Sequence, residues 1–77
     1  MSAVCENWNL NLKDFDRDEN GVLWFEDGEH TRIDIGISVF GTCWVMNIFH
    51  KTLKITYTAP SLKKCIGAIP RLARAFE

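Results

Sequence analysis

The chain is expected to fold as α+β, an antiparallel β-sheet of about five strands in meander order with one C-terminal α-helix packed on one face. Three observations predict this. Between Thr31 and Thr58 two runs alternate: Ile33, Ile35, Ile37 and Val39 with Arg32, Asp34, Gly36 and Ser38, then Leu53, Ile55 and Tyr57 with Lys54, Thr56 and Thr58. A period of two places one side chain set on a buried face and the other toward water. Short turn signals separate these runs, and after Pro60 the apolar spacing changes from two to three and four.

Taken in order, Trp8, Leu10 and Leu12 alternate with Asn7, Asn9, Asn11 and Lys13, which predicts a half-buried first strand. Asp14 to Gly21 is polar and closes on Asn20-Gly21, a pair suited to positive φ in a turn. Val22 to Glu26 reads as the second strand, with Val22 and Trp24 on one face and Leu23 and Phe25 on the other. Asp27-Gly28 is the strongest hairpin signal and leads into a third strand over His30 to Val39. Phe40-Gly41 and His50-Lys51 supply the next reversals, giving strands near Thr42 to Phe49 and Thr52 to Thr58. Short connections make neighbouring strands antiparallel.

Pro60 stops the sheet and Ser61 is placed to cap a helix. Leu62, Cys65, Ile66, Ile69, Leu72, Ala73 and Phe76 fall on one helical stripe, which must dock on the sheet. Pro70 lacks an amide hydrogen and crowds the preceding turn, so a kink or break is expected near Ile69.

At 77 residues there is room for one domain, 1–77, with one modest core. No apolar run is long enough to span a bilayer, and Ser2, Glu6 and the early asparagines stand where a signal peptide needs basic and then apolar residues. A cytoplasmic protein without membrane contact is expected. Cys5, Cys43 and Cys65 are odd in number and far apart, the pattern of reduced thiols used as small apolar residues.

Charge is distributed unevenly. Residues 1–34 hold nine acids against Lys13, Arg17 and Arg32, whereas residues 35–77 hold six bases against Glu77 alone. Such asymmetry speaks to partners more than to fold. The acidic residues Asp14, Asp16, Asp18, Glu19, Glu26, Asp27 and Glu29 form a candidate partner-binding surface for basic proteins, in the manner of small inhibitors that imitate nucleic acid. On the helix, Lys63, Lys64, Arg71 and Arg74 lie opposite the apolar stripe and form a candidate nucleic-acid contact.

The stretch Asp16 to Asp27 carries Asp16, Asp18 and Asn20 at positions one, three and five of a twelve-residue loop, Gly21 at six and Leu23 at eight. It resembles the calcium loop of an EF-hand, in which alternate oxygen ligands wrap a tight glycine turn. The resemblance implies Ca²⁺ coordination by Asp16, Asp18, Asn20 and Asp27, with Asp27 standing where the family has a longer glutamate. Its flanks alternate as strands do, whereas an EF-hand has helices there. For catalysis, His30 and His50 are isolated, no serine lies in a nucleophile elbow, and Cys43 and His50 have opposite parity. Both histidines are expected at the surface or at an edge.

The fourth strand is apolar on both faces, so either Cys43, Val45 and Phe49 or Trp44, Met46 and Ile48 must face away from the helix. At about 25 cal/mol per Å² such a patch calls for cover, by a second copy of the chain or by a dedicated protein partner. The expected function is a small non-catalytic protein-interaction module, an inhibitor or regulator of the kind encoded by a phage or other mobile element. Calcium binding and nucleic-acid binding are the alternatives.

Overall fold

The computed structural model describes residues 8–76; Cys5, Asn7 and Glu77 lie outside the described residues. Five strands form one sheet: β1 (Asp16–Arg17), β2 (Leu23–Asp27), β3 (Thr31–Ile37), β4 (Trp44–His50) and β5 (Leu53–Ala59). Their order in the sheet is their order in the chain, and every adjacent pair is antiparallel. Helix α1 (Leu62–Ala73) follows and ends in a 3-10 turn, Arg74–Phe76.

The alternation holds at Ile33, Ile35, Ile55 and Tyr57, whereas Ile37, Val39 and Leu53, expected on the same buried set, are exposed because they stand at strand ends or beyond them, past the reach of α1. Register aligns Leu23, Ile35, Met46 and Tyr57 in one row and Phe25, Ile33, Ile48 and Ile55 in the next. These rows face α1, whose Cys65, Ile66, Ile69 and Ala73 are buried against them. Positive φ at Gly28 and Gly41 lets the chain reverse after β2 and between β3 and β4.

The first strand is not where alternation placed it. Residues 8–11 are irregular and Leu12–Asp14 is a 3-10 turn, held by the Asn11 amide donating to Asp14 Oδ2 at 2.8 Å and the Asp14 amide to the Asn11 carbonyl at 2.9 Å. A short acid that bonds the backbone three residues earlier closes a turn here, in competition with extension. Leu10 and Phe15 are thereby buried in the core, with the Phe15 ring 5.8 Å from that of Phe25. The sheet's inner face is thus shared, α1 lying on β4 and β5 and the N-terminal segment packing beside it. The edge strand β1 is built from two residues of the stretch read as a polar loop.

Nor does Pro70 break the helix, which runs continuously through it. Ile69 and Ala73 are buried on either side, so docking on the sheet holds the turn that lacks a hydrogen bond. The expected cap forms, with Ser61 Oγ accepting from the Lys64 amide at 3.2 Å. Lys63 and Lys64 occupy the first turn, where the helix dipole disfavours cations and no acid compensates. Ser61→Ala is therefore expected to cost about 1 kcal/mol, read as a lower thermal midpoint, whereas Ser61→Asp should preserve or raise it.

Candidate functional site

The face of the sheet away from α1 has no second layer among the described residues. Register brings Asp16, Trp24, Asp34, Asn47 and Thr56 into one row across it, and Glu26, Arg32, Phe49 and Lys54 into the next. Val45 opposes Gly36, and the Val22 side chain stands 3.6 Å from where a Gly36 Cβ would be. The apolar set turned outward is therefore Val45 and Phe49, while Trp44, Met46 and Ile48 face the core.

This outer face is smaller in apolar area than the sequence suggests, because cations lie over its rings. The Arg32 guanidinium is 5.5 Å from the Trp24 ring centre and Lys54 Nζ is 5.4 Å from that of Phe49. Long aliphatic stems shield the rings while their charges stay in water. Arg32 is held in place by Glu26 Oε2 at 2.8 Å and Asp34 Oδ1 at 2.9 Å. Its pKa is raised, first by the Glu26 hydrogen bond. Trp24 is thus a half-buried indole framed by Asp16 and Asp34 and crossed by a fixed arginine.

The acidic residues singled out above do not form one surface. Asp16 and Glu26 belong to the outer face beside Trp24. Asp14 holds the 3-10 turn, and Asp18 Oδ1 accepts from the Asn20 and Val22 amides at 2.8 and 2.9 Å, building the turn between β1 and β2. Asp27 and Glu29 lie at the opposite end of β2, and Glu19 is exposed beside the Asp18 turn.

The same geometry bears on calcium. Strands flank the loop, and since Asp16 opposes Trp24, Asp27 lies three residues along β2, roughly 10 Å away. Among the described residues no three His, Cys, Asp or Glu side chains are grouped to hold a metal ion. The basic helix residues Lys63, Lys64, Arg71 and Arg74 are on the far side of the sheet from Trp24 and Phe49, so cations of α1 and outer-face aromatics do not share a surface. Arg71 instead leans over Tyr57, 5.9 Å from its ring and 3.4 Å from its hydroxyl.

His50 is a correction, for it is buried and not at the surface. Nδ1 is 2.8 Å from Thr31 Oγ1, while Nε2 is enclosed without a partner and the ring lies 5.3 Å from Phe76. Burial, and then the positive charge of Lys51 and His30, lowers its pKa. Its parity with Trp44, Met46 and Ile48 is the signal that places it inward. Cys65 is buried with Sγ 3.8 Å from the Trp44 carbonyl, and burial pushes its thiol pKa up, away from nucleophilic use.

Sequence reasoning also missed the tip of the β3–β4 hairpin. Ile37, Val39 and Phe40 are exposed there, Val39 at 94% and Phe40 at 84%. An aromatic residue immediately before the turn glycine Gly41 is the signal for such a tip. Arg17, Asn20, Gly21, Val22, Gly36, Ile37 and Trp44 line a groove of about 330 Å³ at the same end of the sheet. No helix among the described residues is long and apolar enough to cross a membrane. Comparison of the chain with protein-family models, curated proteins and solved structures finds no match.

Proposed function

We propose that the chain is a non-catalytic protein-interaction module that binds through the outer face of its sheet. The observation that supports this reading is Trp24 on a strand paired on both sides, framed by Asp16 and Asp34 and crossed by an arginine that bonds two carboxylates. Tryptophan and arginine on a preorganised surface are the residue types that dominate binding energy, and the acidic frame suits a partner with basic residues around an apolar anchor pocket.

A pull-down from the native host, identified by mass spectrometry, tests it when repeated with two variants. Trp24→Ser and Asp16→Lys should each lose the captured protein while circular dichroism stays native. Asp18 is spared because its carboxylate forms the turn. Capture unchanged by both variants sinks the outer-face reading.

A further inference from the structure

The two edges of the sheet are unlike. On one side β1 is two residues long, a length that blunts an edge against further pairing. On the other, β5 runs seven residues, as long as β4, with no proline inside it. No backbone hydrogen bond joins the outer edge of β5 to another segment among the described residues. Leu53, Lys54, Thr56 and Thr58 are exposed along it.

This open edge is cationic on both faces. Lys54 projects on the outer face, and Arg71 reaches over Tyr57 on the helix face. From Ile35 to Phe76 the chain contains no carboxylate, so β4, β5 and α1 hold no acid to neutralise them. Pairing β5 with a second copy would set two cationic edges, neither carrying an acid of its own, against each other, which like charges disfavour.

We infer that the free edge of β5 accepts an extended acidic peptide segment of a partner protein as a sixth, antiparallel strand. Main-chain hydrogen bonds to the edge supply affinity, and alternate side chains supply selectivity. A residue opposite Lys54 lies on the outer face and one opposite Tyr57 lies beneath Arg71. The segment therefore carries two acids three positions apart. Between them, the residue opposite the half-buried Ile55 is apolar. The edge meets the outer face only at Lys54, two strands away from Arg32 and further from Trp24, so Trp24→Ser and Arg71→Glu test the two readings independently.

The probe is the blocked hexapeptide Thr-Glu-Thr-Val-Glu-Val, titrated into the isotopically labelled full chain and followed by amide shifts and hydrogen exchange. Edge amides of Leu53–Ala59 should shift and gain protection, and binding should weaken with salt. Lys54→Glu and Arg71→Glu should each weaken it by about fivefold. A peptide with lysine in place of both glutamates should bind poorly to the native chain and regain affinity for the doubly reversed one. The inference is overturned if β5 amides do not respond, if the two peptides bind alike, or if β5 amides become protected with protein concentration alone, which would assign the edge to a second copy.

Discussion

Ile33→Ala is expected to remove about 2–5 kcal/mol from the folding free energy. Ile33 is fully buried on β3, opposite Ile48 and beside Phe25, with Ile55 completing the row. Truncation there leaves a cavity walled by paired strands, which cannot collapse without disturbing the ladder. A chain of 77 residues has a total stability of roughly 4–12 kcal/mol, so the loss is a large part of the whole. Urea unfolding should show a lower midpoint with an unchanged slope, and the thermal midpoint should fall by more than about 10 °C. Thr58→Ala, exposed on the outer face, should change stability by less than about 0.5 kcal/mol. A loss below about 1 kcal/mol at Ile33 would mean that this row is not the centre of the core.

The second large effect is acid destabilisation through His50. Its folded pKa is lowered below the ordinary 6.5, chiefly by burial, so the native state binds this proton less readily than the unfolded chain. The neutral ring's contribution is therefore fully present above about pH 6.5 and is lost as pH falls from there through the folded pKa. One proton gives a slope of at most about 1.4 kcal/mol per pH unit. Protonation would make both ring nitrogens donors, yet Nε2 is enclosed without an acceptor near Phe76. Replacing the pair by Thr31→Val with His50→Leu removes both polar partners together, so stability at pH 7.5 should be nearly kept and the slope between pH 6.5 and 5 should flatten. If denaturant midpoints of the double variant keep the native slope, the titrating group is another one.

Strands β2 to β5 and helix α1 were legible because their burial largely follows local periodicity; the structure moves the strand ends by one or two residues, while Arg74–Phe76, at the end of the helical stripe, forms a 3-10 turn. The first strand was not, for Trp8, Leu10 and Leu12 alternate as a strand does while a side-chain bond from Asp14 turns the chain. Phe15, the one large apolar residue in its polar stretch, was the sign that this stretch returns to the core. The continuity of α1 through Pro70 depends on sheet contacts that no local pattern carries. At the candidate site, alternation separated Trp24 from Leu23 and Phe25 within β2, and Arg32 from Ile33 and Ile35 within β3. That Arg32 would cover Trp24, and that Asp18 would be committed to a turn, depend on strand register and loop closure. These are three-dimensional facts with no linear trace.

Trp8 stacks on Phe76 at 6.1 Å between ring centres, so the two ends of the described residues 8–76 lie beside one another. A unit with adjoining ends can be spliced into a surface loop of another protein without prising that loop apart. The fold is therefore suited to transplantation as a cassette, carrying the Trp24 face and the β5 edge into a new host scaffold.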